Sequence, residues 1–337
     1  MAAIYSVYWD ISLVFTTCLF CFMLHMIITK SSTEMSGYKW YLVHQLTWSY
    51  LFDVYVGLWK VIPLWPFYMG YSSGIFANFN GNSATIQLIL PAVLSVGMGF
   101  SIYLSVLYRY VQASPFSQFY KYYNVTAIRA VFYVVIFFGI EAIICIPIVF
   151  TLPQQTDFNT AMTSKCPVLI PIFAMHSSVF GYETTDTVVQ YVVLIVFVLV
   201  MLSVSIVFLY LNFIRILRKN KQHLSIGTYN MQLMLFRTLF IQIAIFGALL
   251  ILPITMAFIL TLFGMKWMPK FGLIAISILG THAFVDFCVL SYFIRSYREY
   301  VKGCYNKIRQ KFGLKVTVAI VTPLGPSTVS ELPSRLH

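Results

Sequence analysis

Polar and apolar residues follow one another along this chain in long blocks. Seven apolar runs, at residues 11–29, 41–62, 85–108, 129–150, 188–213, 233–263 and 270–294, are separated by polar stretches. Each reaches about 20 residues, which at about 1.5 Å per residue crosses the hydrocarbon core of a bilayer. Membrane β-strands would instead read as short segments of alternating hydrophobicity. The pattern predicts an all-α membrane protein, a bundle of seven transmembrane helices, because a helix satisfies its own backbone in lipid. Pro253 falls inside the long sixth run and predicts a kink there. The two halves do not mirror each other as they do in many transporters.

Composition agrees. Of the 337 residues, 60% are hydrophobic and 9% charged, whereas a soluble domain carries about 25% charged residues. The net charge of +12 is spread between the apolar runs, as a topology signal is, which argues against a nucleic-acid partner. The first, third and fifth loops and the segment after the last run hold 18 Lys and Arg; the loops of the other side hold three. The positive-inside rule then places the tail in the cytoplasm and the N-terminus outside. The first run follows Asp10 and no basic residue, so it reads as an anchor that stays in place. Residues 1–312 make the membrane domain, ending in an amphipathic juxtamembrane stretch at 295–312 with apolar positions at helical spacing. Residues 313–337 read as a disordered cytoplasmic tail. The sequon Asn124-Val125-Thr126 lies in the third loop, on the cytoplasmic side, and should carry no sugar. Four of the six cysteines lie inside apolar runs, with Cys166 in an outer loop and Cys304 in the tail, so they form no disulfide framework.

Few ionisable groups enter the runs: His25, Asp53, Lys60, Glu141, His282 and Asp286. Each costs several kcal/mol exposed to lipid, roughly 2.5–3.5 on insertion scales, so each should face the bundle interior. His282 and Asp286 are four apart and share a helix face. Asp53, Asp286 and His282 are expected to meet in a polar network, which fits either a switch element or plain polar glue between helices. Trp59, Lys60, Glu141 and His282 are the candidates to line a ligand pocket reached from outside. An interfacial aromatic belt accounts equally for Trp59, Trp65, Phe67, Tyr68 and Tyr71, snorkelling for Lys60, and a protonated carboxyl packed against a neighbouring helix for Glu141. The outer loop at 151–187 holds an apolar stretch, Cys166 to Phe173, whose two prolines predict a poor helix. It fits a lid over the pocket or packing on the helix ends. A metal site would need a third ligand beside His282 and Asp286, and none converges, so no metal, cofactor or enzymatic activity is implied. On the inner side Arg109, Arg215, Arg218, Lys219, Lys221 and Arg298 form a cationic surface. It suits an acidic protein partner or anionic lipid headgroups.

Several stretches resemble one receptor family. Met35-Ser36-Gly37-Tyr38-Lys39-Trp40-Tyr41-Leu42 with Leu51-Phe52-Asp53-Val54 looks like the second span of nematode serpentine chemoreceptors. Pro63 to Tyr71 followed by Gly74 is similar to the outer loop of their classes H and I, and Tyr229 to Leu233, Leu239 to Gln242 and Pro253 resemble their sixth span. The resemblance implies a GPCR-like bundle that binds a small chemical cue and activates a heterotrimeric G protein from the plasma membrane of sensory cilia. It implies that Arg109, at the inner end of the third span, contacts that G protein. The chain departs from such receptors with Ser296-Tyr297-Arg298 where Pro-Tyr-Arg is common. It also lacks an acidic residue before Arg109 and any Asn-Pro-x-x-Tyr sequence. The alternative, an ion channel or transporter, would need a charged pore lining or interrupted helices in paired halves.

Overall fold

In hydrocarbon a backbone amide finds partners only within its own helix, and the apolar runs fold accordingly. The structure, a computed structural model, describes residues 2–31, 35–64, 68–78, 83–112, 118–151, 153–183, 185–219, 226–265 and 268–312. The first three spans are α1 (Ala2–Lys30), α2 (Lys39–Trp59) and α3 (Ser83–Gln112). A short inner helix α4 (Gln118–Tyr123) leads into the fourth, α5 (Thr126–Phe150). Between it and the fifth span lie α6 (Gln155–Lys165), a 3-10 turn and α7 (Ile170–Met175); the fifth span is α8 (Asp186–Lys219). The sixth is α9 (Ile226–Phe246) and α10 (Leu252–Leu262), joined by one turn of π-helix at Gly247–Ile251. That turn stands immediately before Pro253, whose missing amide breaks the regular ladder. The seventh is α11 (Met268–Leu279) and α12 (His282–Phe293), and α13 (Arg295–Lys311) follows it.

The first helix begins at Ala2, well before its apolar run. Six spans are apolar enough to cross a bilayer on length and composition alone, among the described residues. The exception, α2, carries its polar residues inward: Gln45, Ser49 and Asp53 are buried where it packs against α1, α3 and α12. The segment 151–187 is more helical than its prolines predict. Pro167 opens the 3-10 turn and Pro171 sits in the first turn of α7, where an amide has no intrahelical acceptor to lose.

Three strands roof the outer end: β1 (Val61–Pro63), β2 (Tyr68–Ser72) and β3 (Phe180–Tyr182), antiparallel in the order β1-β2-β3. Gly181 has φ +156°, and a Cβ there would fall 2.4 Å from the Tyr68 carbonyl oxygen, so only glycine lets β3 lie against β2. Phe158 and Met162 of α6 pack on Met69 and Val179 to cover the roof from outside. Below it an outer core joins Trp9, Phe52, Trp59, Met98 and Phe246. An inner core joins Met23, Leu42, Leu235, Phe287 and Tyr297. At the break in the seventh span, a Cβ on Gly280 would meet Trp9 Cη2 at 2.4 Å, so the bare backbone admits the indole.

Candidate functional site

Under the roof the bundle holds a cavity of about 430 Å³, with Pro91 of α3, Pro147 of α5 and Pro253 of α10 in its wall. Each proline lacks the amide that the carbonyl four residues earlier would accept in a regular helix. The Gln87 carbonyl freed by Pro91 accepts instead from Tyr55 Oη, 3.1 Å away. The Gln87 side chain accepts from Trp59 Nε1 at 3.0 Å, and Trp59 in turn stacks on Phe180 of β3 with ring centroids 5.5 Å apart. Tyr182 Oη donates to the Ile148 carbonyl at 2.8 Å and ties the roof to the fourth span. Burial pushes that phenol up to about 12, so it remains a donor at neutral pH. The rest of the wall is mostly apolar, aliphatic at Val56, Ile254, Ala257, Ile276 and Leu279 and aromatic at Phe52, Tyr191 and Phe258. Ser95 turns its hydroxyl back to the Pro91 carbonyl at 2.6 Å. Tyr68 Oη is buried at the cavity without a hydrogen-bond partner among the described residues.

Of the four residues expected at a ligand pocket, only Trp59 lines this cavity. Lys60 caps α2 in a left-handed conformation (φ 49°) and reaches away from it, with Nζ 2.7 Å from Asp10 Oδ1 and 2.8 Å from Ser6 Oγ. It therefore clamps the start of α1. Glu141, the buried residue of α5, accepts from Cys145 Sγ at 3.5 Å; its other oxygen has no partner among the described residues. His282 is buried below the cavity, edge-on to Phe246 at 5.7 Å between ring centroids.

The expected meeting of Asp53 with Asp286 and His282 does not form. Asp286 accepts from Gln242 Nε2 at 2.8 Å and Gln45 Nε2 at 3.3 Å, which ties the second, sixth and seventh spans together. Neither oxygen of Asp53 has a hydrogen-bond partner among the described residues, nor does Nδ1 of His282. The Gln45 and Gln242 carbonyl oxygens and the Ser49 hydroxyl are likewise buried and unpartnered. Such atoms are costly in a low-dielectric interior, so this is a place where a second packing has bonds to gain. Gln45 and Gln242 carry no charge and so do not stand out among the ionisable groups of the apolar runs. Amides inside apolar runs were the signal that would have found them, since an unbonded amide in lipid is also expensive.

Arg109 is not on the inner surface. It is only 3% exposed. Its guanidinium lies 3.6 Å from the centroid of the Tyr38 ring, and Nη1 reaches Gln232 Oε1 on the sixth span at 3.4 Å. Nε and Nη2 are buried without hydrogen-bond partners. Burial pushes the Tyr38 phenol up while the facing guanidinium draws it down. Around this pair Tyr41 stacks on Tyr108 at 4.5 Å and its hydroxyl meets that of Tyr133 at 3.2 Å; Tyr133 also bonds Tyr123 of α4. The pairing with Tyr38 had no counterpart in the sequence reading, because 71 positions separate the two residues. Around the buried arginine, Arg215, Arg218 and Lys219 are exposed at the end of α8, and Arg298 is half-buried on α13. Lys221, expected on the same face, and the tail at 313–337 lie outside the described residues. α13 buries Tyr297, whose hydroxyl meets Ser31 Oγ at 2.7 Å, and leaves Tyr305, Ile308 and Phe312 exposed.

The family profile of the serpentine type 7TM GPCR chemoreceptor Srh matches residues 2–307. No curated protein matches the chain in sequence. Among solved structures, squid rhodopsin superposes with a TM-score of 0.62 at 10% identity, covering 92% of this chain and 88% of that one. At that identity the likeness is one of fold.

Proposed function

The chain belongs to the Srh family of serpentine seven-transmembrane GPCR chemoreceptors, and from that premise we propose that it detects a small apolar molecule in the cavity under the roof. The proposed place of action is the plasma membrane of a sensory cell, with a heterotrimeric G protein as the inner partner. The observation that carries this reading is the cavity itself. It offers about 430 Å³ of almost wholly apolar space, walled by aliphatic side chains and by aromatics such as Trp59 and Phe180, with an unpartnered phenol at Tyr68 among the described residues. That is room for a compact hydrophobic molecule with at most a weak polar handle. A charged ligand would find no counter-charge among the described lining residues.

We place the response along a short stack of contacts. The cavity floor includes Phe52 and Leu279. Asp53 follows Phe52 directly, and His282 lies one helical turn beyond Leu279. One turn further stands Asp286, held by Gln45 and Gln242. At the inner end Gln232 of the same sixth span holds Arg109. A ligand that favours a different packing of the sixth and seventh spans would loosen Gln232 from Arg109 and free the guanidinium for the G protein. The shift equals the ligand's differential affinity for the two packings and no more. Arg215, Arg218, Lys219 and Arg298 would then form the rim that steers the acidic partner.

The test is a reporter screen of small apolar compounds in cells expressing the chain, repeated with Ala257→Phe. That substitution fills the cavity from α10 without touching the rim. A response that disappears in Ala257→Phe at unchanged surface level supports the site. A response that persists undiminished places the ligand elsewhere.

A further inference from the structure

Among the described residues the cavity is enclosed above and thinly walled at the side. Val61, Met69 and Phe180 of the roof are buried although they face the cavity, and α6 covers the sheet from outside. On the side, Ile143 of the fourth span and Leu194 of the fifth both line the cavity, yet they are 59% and 44% exposed. They continue lipid-facing surfaces. On α5 the exposed positions include Val135, Phe138 and Ile146; on α8 they include Val193 and Phe197. Ile143 and Leu194 are each cavity wall on one side and bundle surface on the other, so a single side chain separates cavity from lipid there and a rotamer change breaches the wall. The two spans that flank this thin wall are also the least enclosed in the bundle, each with only 6% of its most apolar window buried, against 44% for the third and seventh spans. Pro147, four residues past Ile143, interrupts the helical ladder of the fourth span beside it.

We infer that the cavity takes its ligand from the bilayer, through a lateral portal between the fourth and fifth spans edged by Ile143 and Leu194. The ligand is therefore a lipophilic molecule that first partitions into the membrane, and its working concentration is the one it reaches in lipid. This inference rests on the reading of the cavity as the ligand site. A chemical cue that is dilute in water and concentrated in lipid meets the receptor at the higher concentration, and the aliphatic edges offer it no desolvation barrier. A hydrophilic cue would face a buried roof from above and hydrocarbon from the side.

The experiment uses the full chain in lipid nanodiscs with aminoanthracene, a small apolar amine whose fluorescence rises in apolar surroundings. The Ala257→Phe protein, with its cavity filled, supplies the lipid background, and the difference signal reads the cavity. Ile143→Trp and Leu194→Trp narrow the portal at positions already exposed to lipid. Association and dissociation are both expected to slow by about tenfold, as a gate requires, whereas damage to the site alone would speed dissociation. Ile143→Ala and Leu194→Ala widen the portal and should speed both rates. Trp and Ala variants with wild-type rates would overturn the portal. So would faster uptake in Tyr182→Phe, which unties the roof, if the portal variants stay unchanged. If wild-type and Ala257→Phe discs give the same signal, the cavity is not the site, and both readings fall together.

Discussion

Replacing Tyr38 by alanine removes the ring on which the Arg109 guanidinium lies, 3.6 Å from its centroid. A desolvated cation–π contact of this kind contributes about 2 kcal/mol. The remaining bond to Gln232, at 3.4 Å, is long and stands at the weak end of the roughly 1.5–3 kcal/mol range for bonds with one charged partner. If the contact exists only in the resting packing, its loss shifts the resting-to-active equilibrium by about thirtyfold. A receptor resting at about 99 to 1 would then stand near 3 to 1, with about a quarter of molecules active without ligand. The assay is ligand-free nucleotide exchange on a G protein in membranes, divided by the receptor present at the surface, because truncating a buried tyrosine also costs folding stability. Tyr38→Phe keeps the ring and should stay near the wild-type basal rate. Gln232→Leu should raise the basal rate by about tenfold at most. Unchanged basal exchange per surface receptor in Tyr38→Ala would refute the lock.

Other consequences concern the rest of the molecule. Gln242→Leu removes the 2.8 Å donor to Asp286 and should lower the stability of the purified protein by about 2 kcal/mol, within the range for hydrogen bonds to a charged group, read as a lower thermal midpoint; a midpoint at the wild-type value would mean the contact contributes little. Lys60→Met breaks the pair with the exposed Asp10, for which we expect at most about 1 kcal/mol and an unchanged compound profile in the reporter screen. Loss of ligand response there would return Lys60 to the pocket. Reversing Arg215, Arg218 and Lys219 together should abolish coupling while aminoanthracene still enters the cavity, and weak coupling in the native chain should weaken further with added salt. Asn124 is exposed at the inner end, so a mobility shift on glycosidase treatment would contradict the whole orientation.

The bilayer made much of this protein legible from the sequence. Lipid imposes a length on every crossing segment and a charge bias on every loop, and both are one-dimensional rules that a chain obeys residue by residue. The seven spans follow from them, and the disturbance of the sixth span before Pro253 follows from the amide that proline lacks. The resemblance of Met35–Leu42, Pro63–Tyr71 and Tyr229–Leu233 to one family pointed the same way, and the profile match resolves it to Srh. What the sequence left open was how each helix is rotated and shifted against its neighbours. That choice seats Gln45 and Gln242 on Asp286, leaves Asp53 without them and turns Lys60 toward Asp10. It also buries Arg109 under Tyr38. The roof was equally invisible, because three short strands from distant loops become a sheet only when the spans beneath bring them together. An apolar face reads the same whether it meets lipid, a neighbouring helix or a cavity, since burial in hydrocarbon and in protein removes it from water equally well. Only the packed bundle separates the three, and with them the cavity wall from the membrane surface.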